Sequence, residues 1–237
     1  MTGGQLADVL KGRVADPAWL DDAVGRVARD PDEVAVLFPA AGRRCGRGPL
    51  PDPAPGSDYG PAPAGWTVDD AARVLLLTAL PLQGTALAAQ VGALYRYGSA
   101  DEKRAVLRAL PLLDVGDGGL DILHDALRTN DTRLVAAAVG PYARHLEIRM
   151  WRQAVLKCVF MDIPLTAVAD LDRRADGELG RMLADLAAER HAAGRPMRAD
   201  ADVLLALIGD LPAAGGDLPA TAGTPAGRPG EREGKAG

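Results

Sequence analysis

The sequence predicts an all-α fold, either an irregular α-solenoid of HEAT-like helix pairs or a helical bundle, with a disordered C-terminal tail. Apolar residues make up 48% of the 237 residues but aromatic residues only 4%. Because Ala and Leu are abundant and β-branched runs are few, close-packed helices are favoured over a sheet. Amphipathic segments of helical period recur along the chain, joined by the short connections that antiparallel helices use.

The N-terminal 48 residues predict two short amphipathic helices. Apolar residues recur at helical spacing from Leu6 and again from Trp19. Asp16 followed by Pro17 is typical of a helix start, since Asp can cap the helix and Pro suits its first turn.

Two segments without apolar periodicity follow these helices. The arginines and backbone amides of the Gly/Arg-rich segment 42–48, around Cys45, could bind an anion. The segment lacks the spacing of a phosphate-binding loop, so we expect a solvated basic loop. Residues 49–65 are rich in Pro and Gly, which indicates a linker or an extended surface strap.

Residues 66–210 predict the main helical domain. Its first helix is capped by Thr67 and runs through a strongly apolar stretch to Leu80. The next predicted helices span 85–95, 101–110, 120–129 and 132–139. Either Ser99 or Asp101 is a suitable cap for the helix that begins at residue 101.

Polar residues interrupt the dense apolar periodicity of the segment 151–197. Gln153 and Lys157 stand four residues apart and project on the same side of a predicted helix. A buried ammonium is costly without a partner, so this side should face a carboxylate or a wet groove. The following helix begins near Asp176, and its apolar stripe ends on Arg190, which calls for a bidentate acceptor, either an internal carboxylate or an anionic ligand.

The C-terminal region predicts one more helix and then a tail. Residues 201–208 form the predicted last helix, which covers the end of the domain. Residues 211–237 contain too few large apolar groups to offset their chain entropy, so we expect disorder.

Charge and composition exclude several classes of protein. A formal net charge of −5 gives no basic face for nucleic acid. Cys45 and Cys158 have neither motif spacing nor the density of a disulfide framework, which suits a reducing compartment. The chain shows no signal peptide and no apolar run long enough to cross a bilayer. We expect a cytoplasmic protein that reaches the inner face of the membrane only through partners.

No pattern in the sequence names a reaction or a cofactor. The three histidines lack the pairing of a metal site, and no nucleophile elbow or dinucleotide fingerprint is present. The acidic pairs, Asp69 with Asp70 and Asp170 with Asp172, are interpreted as helix caps or solvated turns.

Polar residues around the segment 151–197 are our candidates for contact with a ligand or partner. The ten candidates are Arg128, Asn130, Trp151, Gln153, Lys157, Asp172, Arg174, Glu189, Arg190 and Arg195. A surplus of positive groups lining a concave face would suit an anionic small molecule or a carboxylate-rich partner surface. The alternative is an internal polar network that fixes helix register.

Several motifs in the same region resemble the EboA-domain family. They are W-x-Q-x-V-L-K-x-x-F at Trp151–Phe160, L-D-x-R-A at Leu171–Ala175, M-L at Met182 and Leu183, and E-R-x-A-A-G-R-P at Glu189–Pro196. Weaker matches at 128–130 and 141–142 extend the resemblance over roughly residues 65–200. Asp176, Leu186 and His191 depart from the Asn, aromatic residue and Trp usual in the family, which puts an aromatic contribution from that helix in doubt.

The resemblance implies an accessory role in making or exporting a cell-envelope metabolite. Genes of this family lie beside those for a UbiA-type prenyltransferase, a sugar-phosphate isomerase-like protein, a TatD-like hydrolase and a 3-dehydroquinate-synthase-like cyclase. In cyanobacteria the group is implicated in moving a sunscreen-pigment precursor to the periplasm. No reaction is assigned to the EboA-like component, and the partners implied are the other proteins of the gene cluster.

Three hypotheses for function follow. The first is a non-catalytic helical adaptor or binding protein in the biosynthesis or export of that secondary metabolite. The second is an enzyme that acts on an anionic prenylated or cyclitol-type intermediate, with Lys157, Asp172, Glu189 and Arg190 as its working residues. The third is a general peptide-binding helical repeat protein, which predicts no link to that gene cluster.

Overall fold

The computed structural model describes residues 3–10, 12–50 and 65–209. Within these ranges the chain is helical and contains no β-strand, which confirms the all-α prediction. The helices are α1 (Gly3–Leu10), α2 (Pro17–Arg29), α3 (Val34–Arg44), α4 (Val68–Thr78), α5 (Gly84–Tyr97), α6 (Ala100–Ala109), α7 (Leu120–Arg128), α8 (Thr132–Ala138), α9 (Ile148–Phe160), α10 (Leu171–Arg174), α11 (Gly177–Ala192) and α12 (Ala199–Gly209). None of these helices has the length and apolarity that crossing a bilayer requires. The predicted disordered tail lies outside the described residues.

Side-chain caps fix where many of the helices begin. In α2, α4, α6, α8 and α11 the residue before the helix accepts a hydrogen bond from a backbone N–H of the first turn, which satisfies a donor that has no partner within the helix. These N-cap residues are Asp16, Thr67, Ser99, Asp131 and Asp176. Thr67 and Ser99 form reciprocal capping boxes with Asp70 and Glu102. The structure therefore selects Ser99, not Asp101, as the cap of α6.

Alternate helices stack on one another to form the middle of the molecule. α4 packs against α6, α6 packs against α8, and α8 contacts α9. α5 flanks α6, α7 flanks α8, and α11 packs against both α9 and α12. This stacking is compatible with either predicted arrangement, the solenoid or the bundle.

The N-terminal helices share the core of the main helical region. α1, α2 and α3 all pack against α4, and one continuous set of buried apolar side chains extends from Leu6 to Ile208.

The backbone N–H of Leu50 donates to the carbonyl of Trp66 at 2.8 Å, and that of Val68 donates to the carbonyl of Gly48 at 2.9 Å. The described ends of the predicted linker or strap therefore lie side by side, while residues 51–64 lie outside the described residues.

The predicted basic loop begins later than the sequence indicated. α3 extends to Arg44, because Val34, Phe38, Ala41 and Cys45 continue one buried helical stripe past Gly42. The prediction of a loop was therefore wrong for residues 42–44, which are helical, although Arg43 and Arg44 are exposed as expected. α3 is thus a third helix in the N-terminal segment, where two were predicted. Irregular backbone starts at Gly46, whose φ of 93° lies in the left-handed region that favours glycine.

Candidate functional site

A cleft of about 750 Å³ opens between α6, α8 and the segment 162–167 that follows α9. This volume lies within the range of small-molecule binding sites. Most of the lining is apolar. The lining residues are Leu6, Gly65, Trp66, Thr67, Arg104, Leu107, Arg108, Pro111, Leu112, Thr132, Arg133, Ala136, Ala137, Gly140, Pro141, Asp162, Ile163, Pro164, Thr166 and Ala167.

Small side chains on α8 leave room for the cleft. Ala136 and Ala137 face it from α8, and Gly140 lies just beyond the end of that helix. Leu107 on α6 and Ile163 after α9 supply larger apolar surfaces on the other walls. An apolar cleft of this kind favours an apolar ligand, because binding removes the apolar surfaces of both from water.

Arginine side chains form the polar end of the cleft. Arg104 and Arg108 stand one turn apart on α6 and therefore project on the same side of that helix, and Arg133 projects from α8. Thr67, the cap of α4, lies beside them. The guanidinium of Arg108 also lies over the ring of Trp66, with 5.4 Å between its central carbon and the ring centroid.

Asp70 holds two of these arginines in place. Its carboxylate is 0% exposed and accepts hydrogen bonds from Arg104 Nε, at 3.1 Å and 3.2 Å, and from Arg108 Nη1. The carboxylate also accepts from the backbone N–H of Thr67 as part of the capping box. Burial lowers the pKa of Arg108, although the charge of Asp70 opposes that effect. A buried carboxylate with this many donors fixes the arginine heads at the end of the cleft.

Arg133 is held less tightly, at the mouth of the cleft. Its side chain is 53% exposed and contacts Asp131 at 2.8 Å and Asp101 at 3.2 Å. The hydrogen bond from Arg133 lowers the pKa of Asp131, and the same bond raises the pKa of Arg133. Exposed ion pairs of this type contribute about 1 kcal/mol or less, so the guanidinium can change partner at small cost.

A second buried ion pair lies behind Asp70. Arg73 and Asp69 on α4 are 1% exposed, with 2.5 Å between Arg73 Nη1 and Asp69 Oδ2. Arg73 Nε donates to the carbonyl of Phe38 at 3.2 Å, which ties α4 to α3. The interpretation of Asp69 and Asp70 as a helix cap is confirmed for Asp70, but neither is solvated, because α3 and α6 cover them.

Asp162 connects the opposite wall of the cleft to the C-terminal helices. Among the described lining residues it alone carries a carboxylate, and its backbone φ of 57° is left-handed. Arg190 Nη2 contacts the carboxylate at 3.3 Å, and Arg198 Nη1 donates to the Asp162 carbonyl at 3.3 Å. Arg190 on α11 thus neutralises the acidic group of the cleft.

The structure brings together two of the ten candidates from the sequence, Trp151 and Arg174. Trp151 is 0% exposed, and the guanidinium of Arg174 lies over its ring at 4.8 Å. Arg174 donates to the carbonyls of Ala143 and Leu146, both at 2.7 Å. The indole Nε1 of Trp151 has no hydrogen-bond partner among the described residues.

The other candidates are dispersed. Lys157 Nζ donates to the carbonyl of Leu127 at 2.7 Å, near the C-terminal end of α7, where a cation is favoured. Arg190 contacts Asp162, as described above. Six candidates are exposed: Arg128, Asn130, Gln153, Asp172, Glu189 and Arg195. None of the ten lines the cleft, and their role in binding stays a prediction.

Sequence reasoning missed the arginines of the cleft. Arg104 lies in the run A-D-E-K-R of α6, which has the composition of a solvated helix face. The sequence feature that could have identified them is their spacing: Arg104 and Arg108 are four residues apart in a helix that Ser99 caps. That spacing predicts that the two arginines lie on one face of α6. Only the tertiary structure shows that α4, with Asp70, covers this face.

The cleft falls almost wholly within a segment that matches a known family. A family model described as "Metabolite traffic protein EboA" matches residues 54–205. Every described lining residue except Leu6 lies in this span. No curated protein and no solved structure matches the chain.

Proposed function

Because the chain belongs to the EboA family, whose description is that of a metabolite traffic protein, we propose that it is a non-catalytic helical binding protein. It holds a metabolite in the cleft during the biosynthesis or export of a secondary metabolite directed to the cell envelope. The cleft is the single observation that carries this proposal. It has the volume of a small-molecule site, apolar walls and a polar end of arginines fixed by a buried carboxylate.

The rigidity of the polar end supports a binding role. Arg104 and Arg108 are held by Asp70 before any ligand arrives, so little side-chain entropy is lost when the ligand binds. The residues proposed as the working groups of an enzyme do not line the cleft: Lys157 contacts a helix end, and Asp172 and Glu189 are exposed. A carrier requires only the cleft.

We further propose that the protein acts as an adaptor for the enzymes of its gene cluster. The partners are the prenyltransferase, the sugar-phosphate isomerase-like protein and the TatD-like hydrolase that the family resemblance implies. The exposed candidates, such as Arg128 and Glu189, would then contact a partner and not the metabolite. Contact with a membrane-embedded prenyltransferase would bring the protein to the inner face of the membrane.

The test of the carrier proposal compares native mass spectra of the protein purified from the cells that make it. We expect the wild-type protein to carry a small-molecule adduct and Ala137→Trp to carry none, because the indole fills the apolar part of the cleft. Ala188→Trp on the exposed face of α11 is the matched control and should keep the adduct.

Two results would contradict the carrier proposal. One is a folded Ala137→Trp protein, checked by circular dichroism and thermal unfolding, that retains the adduct. The other is a wild-type protein that carries no adduct when the metabolite is being produced. Production of the metabolite in cells with Ala137→Trp should fall together with the adduct.

A further inference from the structure

The cleft is asymmetric in charge, and this asymmetry restricts the class of ligand. The guanidinium groups of Arg104, Arg108 and Arg133 line one end. The carboxylates of Asp70 and Asp101 contact these guanidinium groups without being part of the described lining. The arginines therefore contribute to the wall of the cleft, whereas the carboxylates that pair with them do not.

Unused donors remain on the arginines that line the cleft. A guanidinium has five N–H groups. In the described part of the chain Arg108 uses Nη1 for Asp70 and Nη2 for the carbonyl of Gly65 at 2.9 Å. Arg133 donates to two partly buried carboxylates, Asp131 and Asp101. Because its own side chain is 53% exposed, water or a ligand can replace these partners. Both residues can therefore donate to a further acceptor at the polar end.

The acidic group on the opposite wall does not cancel this preference. Asp162 is paired with Arg190 at 3.3 Å, and its own side chain is 63% exposed, so water also screens its charge. Between the two ends, the lining consists mainly of apolar groups, including Leu107, Ala137 and Ile163. A ligand that fits this distribution has an apolar body and one acidic end.

We infer that the cleft binds an amphipathic anion, a molecule with an apolar body whose single carboxylate or phosphate group receives hydrogen bonds from Arg108 and Arg133. This inference rests on the proposed carrier function and specifies its ligand class. The planar guanidinium presents paired donors that match the two oxygens of either acid group. One acidic group is specified because the unused donors of Arg108 and Arg133 lie at one end of the cleft and most of the remaining lining is apolar.

The test uses three probes that share one alkyl chain: decanoate, decyl phosphate and decanol. Isothermal titration calorimetry on the full chain measures each affinity, below the concentration at which the probes aggregate. We expect at least one acid to bind about tenfold or more tightly than decanol, since hydrogen bonds to charged groups are the stronger ones. The two acids distinguish a carboxylate ligand from a phosphate ligand.

Substitutions of the arginines separate recognition from folding. Arg133→Gln removes an exposed guanidinium and should fold normally, and it should weaken acid binding about tenfold while leaving decanol binding unchanged. Arg108→Gln should do the same, with thermal unfolding checked because Asp70 loses one partner. Arg96→Gln, at an exposed position of α5, is the matched control and should bind all three probes as the wild type does.

The outcomes distinguish this inference from the carrier proposal. If decanol binds as tightly as the acids, or if Arg133→Gln binds the tighter acid with wild-type affinity, the ligand class is wrong. If neither acid binds the wild type, the ligand class is also wrong. The carrier proposal survives each of these results as long as the metabolite adduct is lost in Ala137→Trp, and it fails independently if that adduct persists.

Discussion

At the scale of single residues, Asp70 is the group on which the polar end of the cleft depends. Its carboxylate is buried and receives hydrogen bonds from Arg104, Arg108 and the backbone of Thr67. One side chain thus completes a capping box and orients two arginines. A buried charge is tolerated only when its partners are in place, because its removal from water is costly.

Asp70→Asn should destabilise the protein strongly. The amide retains the size of the carboxylate but leaves Arg104 and Arg108 without a buried counter-charge, which we expect to cost about 3 kcal/mol or more. Urea unfolding measures the change in the free energy of unfolding. Asp172→Asn, at an exposed position, should change that free energy by less than about 0.5 kcal/mol. A loss below about 1 kcal/mol in Asp70→Asn would show that the arginines do not need this carboxylate.

The sequence could predict the type of these residues but not their burial. Thr67 and Asp70 are identifiable as a capping box from their spacing alone. A capping carboxylate is solvated unless another helix covers it. The sequence around Asp70 does not show that α6 covers this carboxylate. The same limit applies to Trp151 and Arg174: the motif identified both residues, but their stacking requires α9 and α10 to meet.

At the scale of helices, start positions were the most predictable feature. Asp16, Thr67 and Asp176 cap helices where the sequence indicated, because a cap acts on the backbone within three residues of itself. The C-terminal end of α3 was less predictable. Gly42 and two arginines have the composition of a loop, yet the helix continues to Arg44, because Ala41, Gly42 and the following Cys45 are buried against the core.

The start of α11 should make stability depend on pH. Asp176 caps this helix and pairs with Arg152, whose hydrogen bond lowers the pKa of the carboxyl. A lowered folded-state pKa stabilises the protein above the unfolded value of about 3.9, and this contribution is lost as pH falls through the folded-state pKa. The pair should therefore stabilise the folded protein at neutral pH and contribute nothing to its stability in strong acid.

Asp176→Asn tests this pH dependence, since Asn is an equally good N-cap but carries no charge. At pH 7 we expect the variant to be less stable than the wild type by about 1 kcal/mol or less, because the pair is partly exposed. The difference should shrink below about pH 4. Asp176→Ala also loses the cap and should be a further ~1 kcal/mol less stable at every pH. A pH-independent difference between wild type and Asp176→Asn would contradict the role of the Arg152 pair.

The contact of α11 with α12 depends on a glycine. A Cβ placed on Gly180 would lie 2.6 Å from Cγ2 of Ile208, which is closer than side chains pack. We expect Gly180→Ala to cost about 1–3 kcal/mol in urea unfolding. Gly92→Ala in α5 has no such neighbour and should instead stabilise the protein by up to about 1 kcal/mol.

A double substitution identifies the cause of that cost. In the Ile208→Ala background the methyl group that Gly180→Ala introduces no longer meets the branched side chain, so the penalty of Gly180→Ala should disappear. A penalty that persists in the double variant would place the clash elsewhere than at Ile208.

At the scale of the whole molecule, the described helices share a single core. α1, α2 and α3 pack against α4, and α4 leads through α6 and α8 to the C-terminal helices. Apolar periodicity predicted which face of each helix is buried. It could not predict which other helix covers that face, because this depends on contacts between residues far apart in sequence. The division into an N-terminal segment and a main helical domain, made from composition, stays a prediction.

A shared core predicts that the N-terminal and C-terminal helices unfold together. Trp19 on α2 and Trp151 on α9 report on the two regions. In protein whose three tryptophans are labelled with a 5-fluoro group, the ¹⁹F resonances of Trp19 and Trp151 should lose intensity at the same urea concentration. Trp→Phe substitutions assign the signals. An earlier midpoint for Trp19 would show that α1–α3 form a separate unfolding unit.

The backbone pairing of Gly48 and Leu50 with Trp66 and Val68 offers a practical use. It joins two points of the chain that already stand side by side, so a foreign domain whose own termini are close could be grafted between them. Gly65 and Trp66 belong to the cleft, so a circularly permuted fluorescent protein inserted before them would lie next to it. Such a fusion would report optically on whether the cleft is occupied by the ligand that we propose.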